Sequence, residues 1–530
     1  MSSATAQPGG LPINVGWRPR ASPWVIAMAV MIATFMEVLD TTVVNVALPH
    51  IAGSLSASND EATWVLTSYL VSNAVVLPAT GWLSGYFGRK RFLVACIGVF
   101  TIASGLCGVA GSLGMLIVAR VLQGAGGGAL QPISQAVLLE SFPPAKRGIA
   151  MAIFGMGVVV APIIGPTLGG WITDNYSWRW VFYINLPIGI LGVLMAQTFI
   201  EDPPYIRATR RGRIDLVGLG LLALWVACLQ IMLDKGQDED WFASRFIQIL
   251  AALAAVGLVA FVTWELIIPD PIVNLRIFSD RNFAVGTALM TMMGAVLYGS
   301  ITLLPLFLQT LMGYPATQSG LAVSPRGVGS MVAMVLVGRL IGLIDARALI
   351  AFGFAMLGYS LILFGDFTLD ISTRNIFWPN IFNGLGTAFV FVPLTTMTMG
   401  TLRNEQMGGA TGLFNLLRNL GGGVGISVVT AMLVRRAQAH QFYMVSHLTP
   451  FDAAYRQFLQ SAAVPFGAHN GPVTGSGQAT GQLYAVLLQQ AQLWAYVDIF
   501  RVMAILCFLS IPGVLLFRRA RAHAGPVMAH

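Results

Sequence analysis

The chain has 530 residues, of which 56% are hydrophobic and only 10% charged, with a formal net charge of +8. A soluble domain carries about 25% charged residues, so this composition excludes a soluble protein and describes a polytopic membrane protein. The excess of Lys and Arg is spread through short stretches between apolar runs, which is the positive-inside pattern of membrane proteins and excludes a nucleic-acid-binding patch.

A spanning helix needs about 20 apolar residues, and on that rule the chain holds about fourteen. The predicted spans are 24–47, 62–83, 92–111, 114–138, 148–172, 180–199, 215–233, 244–267, 283–309, 317–341, 347–366, 375–399, 408–433 and 495–517. Arg18 and Arg20, Arg89-Lys90-Arg91, Lys146-Arg147, Arg207 to Arg213, Arg276 and Arg281, Arg347, Arg403, and Arg518 to Arg521 all fall on one side of this count. That side is read as cytoplasmic, with both termini on it. Arg435 and Arg436 are the exception, at the start of a predicted loop over 434–494. The first part of that loop, Ala437 to Leu459, has helical potential. Its middle, Pro465 to Gly481, is rich in Gly, Ser, Thr and Pro and reads as mobile. No cleavable signal is expected, because the first apolar run is long enough to span.

The first span carries Glu37 and Asp40, spaced i and i+3 and therefore on one helix face. An ionised group at mid-membrane costs about 2.5–3.5 kcal/mol on insertion scales, so such residues mark transport paths and proton relays. The turn after the second span holds Gly81, Gly88, Arg89 and Lys90, and a similar Gly-spaced basic turn, Gly338 to Arg347, follows the tenth. This weak repeat divides the chain into two six-helix bundles, 1–200 and 283–530, with two inserted helices in 201–282; parallel repeats with a site at their interface are a transporter plan.

The fourth span carries Arg120 about six residues inside its outer end, and Asp40 lies about nine residues short of Pro49 at the outer end of its own helix. At 1.5 Å per residue both sit roughly 9–14 Å below the outer surface, so they can meet. A proton gained or lost by Asp40 or Glu37 would then change how strongly the two helices attract. A purely structural ion pair is the alternative. In the fifth span, Gly157, Pro162, Gly165, Pro166, Gly169 and Gly170 combine close-packing small residues with helix-bending prolines, and read as a packing and hinge element rather than a ligand site. In the second half, Arg326 and Arg418 fall about nine or ten residues into their spans, near mid-membrane. They can bind backbone carbonyls, cap kinked helices or face a cavity. In the last case, with Asn45, Gln123 and Asn415, they would give a substrate cavity its polar points and admit anionic amphiphiles such as fatty acids or uncouplers.

Several stretches together resemble the major facilitator superfamily, and within it the fourteen-helix drug:proton antiporters of the multidrug-resistance protein B type. The run Leu39-Asp40-Thr41-Thr42-Val43-Val44-Asn45-Val46-Ala47-Leu48-Pro49 is similar to that subfamily's first-helix signature. Arg120, Gln123 and Gly124 match its fourth-helix motif, associated with proton coupling. Gly165-Pro166 with Gly169-Gly170 match its antiporter motif. Ser177 to Phe182, Asn185 to Gly189, and Leu233 to Gly236 with Asp240 to Phe242 look like the same family. One departure stands out: Gly85 and Tyr86 occupy the positions where the family's loop motif carries an acidic and a basic residue.

The resemblance implies an all-α major facilitator fold and proton-coupled efflux of hydrophobic or amphiphilic toxic compounds. It also implies a bacterial inner membrane, and a periplasmic adaptor and outer-membrane channel as partners that the 434–494 segment would meet. The spans' Met, Phe and Gly content suits a broad apolar cavity. The proton motive force is the expected energy source, with no cofactor. An ATP-driven pump is excluded because no Gly-Lys dipeptide exists for a P-loop. An enzyme is not expected: no metal cluster or nucleophile arrangement appears, and Cys96, Cys107, Cys228 and Cys507 all lie in apolar runs. The competing readings are a proton-coupled transporter of one metabolite or fatty acid, and a non-transporting receptor or lipid translocase.

Overall fold

A computed structural model describes residues 19–143, 146–203, 215–449, 451–470 and 472–518. Arg18, the Arg207 to Arg213 run and the basic residues after Arg518 lie outside the described residues. Among the described residues, fourteen helices are long and apolar enough to cross a membrane. They are α1 (Pro23–Ser54), α2 (Glu61–Phe87), α3 (Arg89–Gly108), α4 (Leu113–Ser141), α5 (Arg147–Asn175), α6 (Trp180–Phe199), α7 (Leu216–Lys235), α8 (Arg245–Ile267), α9 (Arg281–Leu311), α10 (Gln318–Leu340), α11 (Ala346–Phe364), α12 (Arg374–Met399) and α13 (Asn404–Ser446), and, after a further helix α14 (Ala453–Asn470), α15 (Thr474–Val514).

The helices begin where polar side chains can satisfy the first free amides. Ser58 accepts from the Glu61 amide, Ser112 from Met115, Asp215 from Gly218, Asp280 from Phe283 and Asp345 from Arg347. Gly88 ends α2 at φ 87°, a conformation without cost only for glycine, and α3 starts at the next residue.

Because the number of crossings is even, the start of α1 and the end of α15 share one end of the bundle, called here the terminal end. Two groups of helices pack among themselves: α1 with α5, α2 and α3 with α4, and α3 with α6; then α9 with α13, α10 and α11 with α12, and α15 with α11 and α13. The two groups meet along α2–α13 and α5–α10. Near the terminal end the first seam is backbone against backbone. A Cβ on Gly81 would overlap the main chain of Gly408 and Gly409, and one on Gly412 would lie 2.7 Å from the Leu77 carbonyl oxygen. The inserted helices α7 and α8 pack on each other, and α7 also touches both groups. Thr67 of α2 donates to Asp234, and Ser427 of α13 donates to the Leu233 carbonyl at 2.6 Å.

The stretch 434–494 departs from the sequence expectation of a loop with a mobile middle. α13 runs on to Ser446, α14 occupies Ala453–Asn470, and α15 is helical from Thr474 through the Gly/Ser/Thr-rich residues up to Gly481. Tertiary packing overrides composition here. Ala479, Leu487 and Ala491 bury one face of α15, α14 packs along it, and Gln441 Nε2 donates to Tyr484 Oη at 3.0 Å. A 43-residue α13 and a 41-residue α15 are each roughly 60 Å long, about twice the hydrocarbon thickness of a bilayer. The result is a helical projection at the end opposite the start of α1 and the end of α15, with Arg435 and Arg436 at its base.

Candidate functional site

α4 lies unusually close to its neighbours because a glycine run replaces side chains where it crosses them. A Cβ on Gly126 would lie 2.7 Å from the Phe100 amide nitrogen of α3, and one on Gly128 would overlap the Asn73 carbonyl of α2. On the turn before that run Arg120, fully buried, reaches Asp40 on α1, equally buried. Arg120 Nη1 is 2.6 Å from Asp40 Oδ2. The other carboxylate oxygen accepts from Gln123 Nε2 at 2.9 Å and from Asn185 Nδ2 at 2.8 Å. Arg120 also donates from Nε to the Val65 carbonyl at 3.0 Å and from Nη1 to Gln123 Oε1 at 2.8 Å, and its guanidinium lies 4.1 Å from the centre of the Tyr69 ring. Its Nη2 has no hydrogen-bond partner among the described residues. The charge of Asp40 is thus held by one cation and one amide from α4 and a second amide from α6.

Glu37, one turn earlier, has a different environment. It accepts from Gln131 Nε2 at 2.7 Å, Asn73 Nδ2 at 3.1 Å and Tyr69 Oη at 3.4 Å, three neutral donors. Tyr69 therefore touches both sites, its ring under Arg120 and its hydroxyl on Glu37. Glu37 and Asp40 share a face of α1 but keep separate partners.

The five residues assigned to a substrate cavity separate. Arg418 lines an apolar cavity between α5 and the second group, walled by Val158, Val159, Met290, Met293 and Phe391. Asn415 is buried a turn away, donating to Gln135 Oε1 at 2.7 Å. Gln123, one turn after Arg120 on α4, belongs to the Asp40 cage. Arg326 is buried, donates from Nη1 to Ser300 Oγ at 3.4 Å, and leaves Nε and Nη2 without partners among the described residues. Asn45 is exposed on α1 and is not part of that cavity wall.

The fifth-span glycines press on α1. A Cβ on Gly165 would overlap the Thr42 hydroxyl, one on Gly157 would overlap the end of Met31, and one on Gly169 would lie 2.9 Å from the Val43 carbonyl oxygen, while Gly170 has ordinary contact with Val46 at 3.9 Å. Pro162 and Pro166 lie within the helix. In the loop motif, Arg89 pairs with Glu140 of α4, with both side chains buried, and the Lys90 amide donates to Asp202 Oδ1 at 2.7 Å. At the departure from the motif, a Cβ on Gly85 meets nothing within 4 Å, and Tyr86 stacks on Trp82 at 5.2 Å.

Sequence reasoning missed Tyr69, Asn73, Gln131, Gln135, Glu140 and Ser104, whose hydroxyl accepts from Asn185 Nδ2 at 3.0 Å. Gln131 and Gln135, i and i+4 in an apolar span, are the one signal that could have been read. Among the described residues no group of three or more His, Cys, Asp or Glu is placed to hold a metal ion.

Two groups of six helices around a buried Asp–Arg pair and an apolar cavity define a multi-pass membrane transporter. The sequence profile described as Major Facilitator Superfamily matches residues 30–426, and the chain belongs to that family. It is 41% identical over 495 residues to the fatty acid resistance protein FarB of Neisseria gonorrhoeae, covering 93% of this chain and 96% of that one. It is 38% identical over 504 residues to the multidrug export protein EmrB of Escherichia coli (strain K12), covering 94% and 96%. The human organic anion transporter MFSD10 (TETRAN) superposes with a TM-score of 0.57 at 14% identity, covering 92% of this chain and all of that one, a likeness of fold.

Proposed function

We propose that the protein is a drug:proton antiporter that exports hydrophobic or amphiphilic toxic compounds, powered by proton entry and needing no cofactor. The similarity to multidrug export proteins along nearly the whole chain supports the substrate class. The observation that carries the coupling is the Asp40–Arg120 pair at 2.6 Å in a fully buried cage. A carboxylate there is costly unless its charge is used. A proton on Asp40 removes that charge, weakens the hold of α1 on α4, and leaves Arg120 to the Val65 carbonyl and Gln123. In this reading the terminal end faces the cytoplasm of a bacterial inner membrane, and the projection stands outside, where an adaptor and an outer-membrane channel would complete the route.

The test is ethidium transport in proteoliposomes under an imposed pH gradient. Wild type should move dye and release protons into the opposite compartment. Asp40→Asn should stop gradient-driven movement while dye binding persists. Transport that ignores the gradient in both proteins would sink the proposal.

A second reading is favoured by the relationship to a fatty acid resistance protein and by Arg326 and Arg418, neither of which pairs with a carboxylate among the described residues. It takes acidic amphiphiles as the main cargo. In the same vesicles, dodecanoate transported well beyond ethidium, and lost in Arg418→Gln, would favour it.

A further inference from the structure

Glu37 is joined to the other half of the molecule through one side chain. The Gln131 amide donates from Nε2 to Glu37 Oε2 at 2.7 Å and accepts, on Oε1, from Arg418 Nη2 at 2.7 Å. Anion, amide and guanidinium therefore lie in series from α1, through α4, to α13. An amide polarised from both sides makes stronger hydrogen bonds than it would between neutral partners, and charge-assisted bonds are roughly twice as strong as neutral ones. A turn along the same two helices, Asn415 donates to Gln135 at 2.7 Å, a contact between two neutral amides. The seam thus has one rung whose strength depends on a titratable group and one whose strength does not.

We propose that Gln131 is a positioning residue that carries the charge state of Glu37 across the seam to Arg418, so that proton uptake by Glu37 loosens α4 from α13. The proposal rests on the antiport reading. When a Glu37 oxygen takes up a proton, the Gln131 bond becomes a neutral one, and Arg418 loses the anion at the far end of its chain. The rung then resembles its neutral neighbour, and the halves separate at lower cost. Arg418 also walls the apolar cavity, so the same step frees a guanidinium beside bound cargo. Other ionisable groups near Glu37 are Asp40 on the same helix, Tyr69 on α2, Arg120 on α4 and Arg418 on α13. On the remaining helices packed against α1, α5 carries Arg147 and Asp174 near its ends and α6 carries Tyr183 near its start.

Two measurements on the full-length protein test this. In proteoliposomes, Gln131→Leu should keep dye-for-dye exchange, which moves no net proton, while gradient-driven dye accumulation falls about tenfold, within the range usual for a coupling energy. Adding Glu37→Gln to Gln131→Leu should cost no more than either change alone, because both break the same chain. Unchanged gradient drive in Gln131→Leu, or additive losses in the double variant, overturns the proposal and leaves antiport standing. A wild type blind to the gradient overturns both. The second measurement needs no change at Gln131. The four native cysteines are buried, so spin labels at Phe87→Cys and Glu405→Cys report the spacing of α2 and α13 at the terminal end. Glu37→Gln at alkaline pH should show the distances that wild type shows only at acid pH. If Glu37→Gln keeps the alkaline wild-type distances, Glu37 does not govern the seam and the proposal fails.

Discussion

At the scale of single residues, the Asp40 cage makes a prediction about stability that is separate from transport. Removing one member of a buried ion pair leaves an uncompensated charge and costs about 3–5 kcal/mol, whereas replacing both members by apolar groups is often neutral. Asp40→Asn should therefore melt at a lower temperature than wild type, and Asp40→Asn with Arg120→Leu should recover much of the loss. A thermal melt followed by size-exclusion chromatography measures both. Equal melting of the single and double variants would mean that the Val65 carbonyl, Gln123 and the Tyr69 ring suffice to hold the lone guanidinium.

At the scale of helices, the direct contact between α2 and α13 at the terminal end is made by glycine and main chain. Gly85 stands where the resemblance implies an acidic residue, and α2 meets α13 through Gly81 on Gly408 and Gly409. Arg89 turns instead to Glu140 within the first group. Gly81→Val would force the two main chains apart, because backbone cannot yield as a flexible side chain can. A cysteine at Ser84, buried under the contact in the native chain, should react several-fold faster with a thiol reagent in the Gly81→Val background. Unchanged reactivity would show that the seam closes without this contact. How the sequence could be read divides along the same line. That Asp40 and Arg120 could meet was legible from depth, because helix rise is fixed and both distances could be counted from helix ends. Glu140 could not be found that way: its partner depends on which neighbour α4 turns it toward, and rotation about the helix axis has no comparable ruler.

At the scale of the molecule, the projection extends the second group alone among the described residues and is the part the sequence hid best. Gly475, Gly477 and Gly481 are poor helix formers, so composition alone pointed to a loop. Only a partner helix makes the segment helical, and partners are not visible along one chain. An in-frame deletion of residues 437–484 should leave ethidium uptake into inverted membrane vesicles near the wild-type rate while abolishing resistance of intact cells. Loss of both would mean that the projection holds α13 and α15 together within the membrane.

The continuity of α13 has a mechanical consequence. One unbroken helix carries Arg418 in the membrane and Ser446 at the far reach of the projection, roughly 42 Å further along its axis. It is a lever with its fulcrum in the bilayer. A tilt of about 10° about Arg418, too slight to disturb most side-chain packing, would swing Ser446 sideways by about 7 Å at that radius. Anything seated on the projection would feel each transport cycle as a stroke.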